Sequence, residues 1–166
     1  MVNLKNIAKA KPEEIAALAN NRAIAANLWD FFPYPYTLDD AISFQEMASR
    51  GLLGHVFGIF DKDPFVGVCS IIPKQDVYRI NAEIGYWVGE PHWGKGYATD
   101  AIKQLVRFAF DELHLLRLYA CVFEHNKASM RVLEKAGFEQ EAVIKSSIIK
   151  NNKVCSECLY SLRAQG

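Results

Sequence analysis

The spacing of apolar residues changes character near Gly51. Before it, apolar positions recur at helical intervals. Pro12 suits a first helical position, Glu13 and Glu14 fill the first turn, and Ile15, Leu18 and Ala19 share one face. A short helix is predicted over 22–28. Thr37-Leu38-Asp39-Asp40 has the form of a capping box opening a helix that Gly51 closes. Between these helices, Trp29 to Tyr36 packs five aromatics and two prolines into eight residues, which predicts a loop. No strand is evident in the first eight residues. After Gly51 the runs are short and apolar. His55 to Phe60 and Phe65 to Ile72 read as a hairpin around Asp61-Lys62-Asp63-Pro64.

A strand over 82–88 follows, then the loop Gly89 to Gly96. Ala98, Ala101, Ile102, Leu105 and Ala109 define a helix over 97–112. The pattern continues with a strand over 115–123, a helix over 126–136 stopped by Gly137, and strands over 142–149 and 154–162 joined at Asn151-Asn152. This succession predicts an α/β (α+β) fold, a mixed sheet with helices on its faces. At 166 residues the chain has the length of one domain, read here as 1–166, and 51% hydrophobic content excludes intrinsic disorder. Nineteen basic and nineteen acidic side chains cancel, so the net field draws in neither nucleic acid nor an anionic membrane. No apolar run reaches signal-peptide or membrane-span length, so the expected location is cytoplasmic. Cys155 and Cys158 form a lone C-x-x-C; on a strand their sulfurs point to opposite faces, roughly 10 Å apart, and no metal site is expected.

The loop Trp93-Gly94-Lys95-Gly96-Tyr97-Ala98, set between a strand and a helix, carries the most chemistry. Backbone N–H groups converging at a helix start make an anion site. One reading is a P-loop-like nucleotide-binding protein, because Gly89 to Lys95 nearly spells G-x-x-x-x-G-K-[ST]; Gly96, however, stands where the Mg²⁺-binding hydroxyl belongs. The other reading is a resemblance. The loop is similar to the pyrophosphate loop of the GNAT N-acetyltransferases, Ile84-Gly85-Tyr86-Trp87-Val88 to the strand before it, and Asn126 to Phe138 to the helix after it. The three segments look most like the branch containing the ribosomal-protein N-terminal acetyltransferases. A weaker similarity covers Phe32 to Ala41.

The resemblance implies a mixed, mostly antiparallel central sheet with helices on both faces. It implies an acetyl-CoA-dependent N-acetyltransferase acting on a primary amine, at a protein N-terminus or on a small molecule, by direct transfer in a ternary complex. The alternative is a non-catalytic acyl-CoA-binding module. Gly94, Lys95, Gly96, Tyr97 and Ala98 would hold the pyrophosphate, the main chain around Val88 the pantetheine arm, and Asn126 would contact the cofactor or cap its helix. Trp29, Phe31, Tyr34, Tyr36 and Tyr86 would wall the acceptor pocket. Dimerisation through the C-terminal strands is expected by the same analogy. For the base, alternation puts Glu83 on one strand face with Gly85 and Trp87, where a carboxylate is costly unless paired or used. Ser129 stands near the position of the family's acidic tyrosine and is the candidate donor to the departing thiolate.

Overall fold

The computed structural model describes residues 1–166. Its strands are β1 (Asn3–Asn6), β2 (His55–Phe60), β3 (Phe65–Pro73), β4 (Asn81–Val88), β5 (Arg117–Phe123), β6 (Glu139–Lys150) and β7 (Lys153–Arg163). They form one sheet in the order β1-β2-β3-β4-β5-β7-β6, with every neighbouring pair antiparallel except β4 and β5. The helices are α1 (Pro12–Ala19), α2 (Arg22–Ala25), α3 (Leu38–Ser49), α4 (Tyr97–Arg107) and α5 (Lys127–Lys135). Two apolar clusters lie on opposite faces of the sheet. One holds Ala101, Ile102 and Leu105 of α4 with Met130 and Leu133 of α5; the other holds Ile15 of α1 and Ala41 of α3.

Local signals account for most boundaries. Pro12 does open α1, and Thr37 caps α3 reciprocally with Asp40, each satisfying a main-chain N–H that the first helical turn leaves free. Three expectations need correcting. Asn3–Asn6 is a strand after all, pairing with β2. It is held from outside its own sequence: the Val2 N–H donates to Asp100 Oδ2 (2.6 Å) and Gln104 Nε2 donates to the Val2 carbonyl (2.8 Å). The helix expected to reach Glu112 is α-helical only to Arg107, then widens to a π turn over Phe108–Glu112. The sixth strand is longer than its apolar run, Glu139–Lys150, because β7 pairs along it across two bulges.

The junction of β4 and β5 shapes the site. Their parallel pairing comprises Asn81 with Arg117, Ala82 with Leu118 and Glu83 with Tyr119, and then stops. β4 continues to Val88 and β5 to Phe123 without partners on that side. The two strands diverge into an open V.

Candidate active site

A cavity of about 980 Å³ occupies the V. It runs from the aromatic loop over 29–36, past Glu83 and Tyr86, to Gly94 and Gly96. Main-chain geometry determines what β4 offers it. The Lys74 N–H donates to the Asn81 carbonyl and the Gly89 N–H to the Val66 carbonyl, so the ladder to β3 uses Glu83, Gly85 and Trp87. By alternation the N–H and C=O groups of Ile84, Tyr86 and Val88 turn toward the gap. The Val88 carbonyl is already engaged, accepting from Trp93 Nε1 at 2.7 Å. Trp93, which stands where the family pattern has Gln or Arg, thereby anchors the glycine loop to the end of β4.

At the mouth, Gly94 and Gly96 adopt φ of +73° and +78°, a region that strains any residue with a Cβ. Gly96 caps α4 without offering a side chain, which leaves the first N–H groups of that helix for an external acceptor. The Tyr97 hydroxyl donates to Asp61 Oδ2 (2.5 Å), fixing the helix start to the β2–β3 turn; this bond and the nearby carboxylate raise the tyrosine's pKa. Burial, then the charge of Lys95, holds the His92 imidazole below its ordinary pKa, favouring the neutral ring. Lys95 is exposed and does not line the cavity, whereas Tyr97, Ala98 and Thr99 do. Asn126 caps α5, its Oδ1 accepting from the Ser129 N–H at 3.3 Å. Its amide NH₂ remains as a donor on a residue that borders the cavity.

The two faces of β4 carry different chemistry. Glu83 shares a face with Trp87, which packs against Phe32 and Phe65. The Glu83 side chain is 17% exposed, with Lys74 Nζ at 3.4 Å from its carboxylate. Lys74 Nζ also lies over the Tyr119 ring, 5.7 Å from its centroid, and the neighbouring tyrosine is the chief reason its pKa is raised. Tyr86 points the other way, toward α5. Its hydroxyl donates to the Ser129 carbonyl (3.1 Å) and lies 2.5 Å from Ser129 Oγ. Burial pushes the Tyr86 phenol up to about 12. Tyr86 therefore sits with Ser129 on the α5 side rather than with the aromatic loop. Cys121, whose thiol is raised to about 11 chiefly by burial, borders the gap from β5.

Of the loop aromatics, Trp29 and Phe31 are exposed at the cavity rim, and Tyr36 borders it from within the core. Burial raises Tyr36 to about 12, with Asp40 adding to the shift. Tyr34 lies outside this cavity, beside Arg22. The loop is held by distant residues: Lys150 Nζ donates to the Leu28 carbonyl (2.7 Å) and pairs with Asp30 (2.8 Å). His125 Nε2 lies 2.9 Å from Asn27 Oδ1. Sequence reasoning overlooked Lys74 and the contribution of α3, whose Phe44 and Met47 line the cavity. The i, i+3 spacing of those two was a legible sign of a shared helix face.

An open parallel junction, a helix start without a side-chain cap at its mouth and a carboxylate beside it fit an elongated, phosphate-bearing ligand. Comparison with known proteins agrees. Residues 2–139 match the family model described as an acetyltransferase (GNAT) domain. The "Probable N-acetyltransferase YjcK" of Bacillus subtilis is 40% identical, the match covering 83% of each chain. The ribosomal-protein-serine acetyltransferase of Escherichia coli is 29% identical over 64% of this chain and 59% of its own length. Among solved structures, the microcin C7 self-immunity acetyltransferase MccE, determined in complex with acetyl-CoA and AMP, superposes with a TM-score of 0.83 at 26% identity. That match covers 98% of this chain and 92% of that one. The chain belongs to the GNAT acetyltransferase family. It is an acyltransferase, and the P-loop alternative falls away.

Proposed function

We propose that this enzyme transfers the acetyl group of acetyl-CoA to a primary amine, at a protein N-terminus or on a small molecule, by direct transfer in a ternary complex. The observation that carries the reading is the V between β4 and β5, with a carboxylate on one face and a hydroxyl pair on the other. The N–H groups of Gly94, Gly96, Tyr97 and Ala98 suit the pyrophosphate, and the gap-facing main chain of Ile84, Tyr86 and Val88 suits the amide-bearing pantetheine arm. Acetyl-CoA supplies the thioester.

Glu83, directly or through one water, takes the proton of the attacking amine. The Val88 N–H, turned to the gap, suits stabilisation of the oxyanion. As the new C–N bond forms and the C–S bond breaks, Ser129 Oγ–H donates to the thiolate and the Tyr86 O–H, turning from the Ser129 carbonyl to Oγ, re-protonates Ser129. Solvent then takes the proton from Glu83 and returns one to Tyr86, which closes the cycle. Ser129→Ala is expected to lower kcat by roughly 100-fold, the lower end of what a positioned acid contributes. Tyr86→Phe should do the same with acetyl-CoA affinity retained. Stopped-flow thiol release checks both, and unchanged kcat in the pair with chemistry rate-limiting would remove them from the mechanism.

The overall reading is tested by thermal unfolding with acetyl-CoA followed by an amine screen. Acetyl-CoA at 100 times its Kd should add about 2.7 kcal/mol of stability. A cytoplasmic location belongs to the same reading. No helix is long and apolar enough to cross a membrane. A homodimer through the C-terminal strands is supported by β6, an edge strand with Val143, Ile144 and Ile149 exposed; sedimentation showing only monomer would exclude it.

A further inference from the structure

The acceptor half of the cavity has a chemistry distinct from the donor half. Cross-strand pairing puts Val68, Ser70 and Ile72 of β3 on the same face as Trp87, Gly85 and Glu83 of β4. Phe44 and Met47 of α3 line the same space, with Leu53 and Val56. The cationic side chains around the cavity, Arg131 and Lys135, belong to α5 and so to the opposite face of the sheet, and His92 to the donor mouth. The acceptor half offers two carboxylates. Asp40 is committed to Thr37, accepting from its N–H at 2.7 Å and its hydroxyl at 2.9 Å. Glu83 stands at the edge of the gap.

We infer that the acceptor is a small monoamine with an apolar carbon skeleton, an arylalkyl or branched alkyl amine. Its body lies between α3 and β3 and its nitrogen faces Glu83. This rests on the amine acetyltransferase reading above and deepens it. The lining disfavours the other amine classes. A polyamine brings a second ammonium, and the carboxylate left for it, Asp40, sits at the start of α3 with its Oδ2 already taking two donors from Thr37. A free amino acid brings a carboxylate, and Lys74, the cation nearest Glu83 on this face, is already paired with that residue at 3.4 Å and does not line the cavity. A sugar amine needs several partners for its hydroxyls, and this wall supplies little beyond Ser43 and Ser70. A peptide N-terminus would bury main-chain N–H and C=O groups against aliphatic and aromatic side chains. An apolar body loses nothing there and gains from leaving water.

The test compares kcat/KM for 2-phenylethylamine and isoamylamine with spermidine, glucosamine, free leucine and short peptides, using thiol release from acetyl-CoA. The apolar amines should be preferred by on the order of 100-fold, the discrimination a shaped apolar pocket supports. Equal or better turnover of spermidine, glucosamine, leucine or a peptide would overturn the inference and leave the acetyltransferase reading standing. If acetyl-CoA neither raises the unfolding temperature nor is consumed with any amine, that reading fails and this inference falls with it. Met47→Glu supplies an independent check, since Met47 is half-buried on α3 and borders the groove. It should cost about tenfold or more in kcat/KM for 2-phenylethylamine and narrow the gap to spermidine. The acetyl-CoA-induced unfolding shift should stay unchanged. An unaltered preference in that folded variant would place the apolar acceptor elsewhere.

Discussion

Glu83→Gln is expected to lower kcat by about 10²–10⁴-fold, the range a positioned general base contributes, with acetyl-CoA binding unchanged. In barrier terms that is roughly 3–5 kcal/mol. Two roles compete for this carboxylate. As a purely structural partner of Lys74, at 3.4 Å and with the lysine side chain 35% exposed, it would contribute at most about 1 kcal/mol of stability and nothing to turnover. As a base it should be indispensable to the chemical step, because Gln keeps the shape and polar contacts but cannot accept the proton. Single-turnover kinetics with saturating acetyl-CoA separates the two. An intact rate with chemistry limiting would assign Glu83 to structure and leave a bound water or the amine's own solvent equilibrium to remove the proton.

The second large effect lies in the core beneath the donor loop. Leu105 is fully buried on α4 beside Ile102 and Ala101, in the cluster shared with β3, β4 and α5. Leu105→Ala removes three carbons from a packed interior and should cost about 2–5 kcal/mol. For a chain of this size that corresponds to a fall in Tm of roughly 5–15 °C. Because α4 carries the N–H groups proposed to hold the pyrophosphate, the loss should be partly reversible. Acetyl-CoA at 100 times its Kd should return about 2.7 kcal/mol to the variant, as it does to the parent. Calorimetry with and without ligand measures both quantities. A variant that melts early yet no longer responds to acetyl-CoA would show that the packing of α4 also shapes the donor site.

The parts legible in the sequence are those specified by neighbours along the chain. Thr37 and Asp40 announce α3, the period of Ala101, Ile102 and Leu105 announces α4, and the alternation through Ile84 and Trp87 places Glu83 on its face. The missed parts depend on remote partners. β1 has one apolar residue packed inward, Leu4, with the buried Val2 just before it, and exists because β2 pairs with it while Asp100 and Gln104 bind Val2. Tyr86 looked like a pocket aromatic because sequence alternation gives a face without saying what packs on it; α5 brings Ser129 to its hydroxyl. Lys74 lies nine residues before Glu83, and only the β3–β4 pairing brings them together.

The three-rung junction between β4 and β5 has a mechanical meaning as well. A sheet is normally as stiff across its strands as its ladders are long, and this one is interrupted after Glu83 and Tyr119. It behaves as two leaves, β1 to β4 and β5 with β7 and β6, joined by a short seam and by the helices that pack across it. Main-chain groups along the open edge of β4, the Val88 carbonyl apart, have no strand partner until an elongated amide-bearing molecule lies beside them. Such a molecule serves as a removable strand. The stiffness of the whole sheet then follows donor concentration, and amide exchange at Ile84, Tyr86 and Val88 would slow as the donor is added.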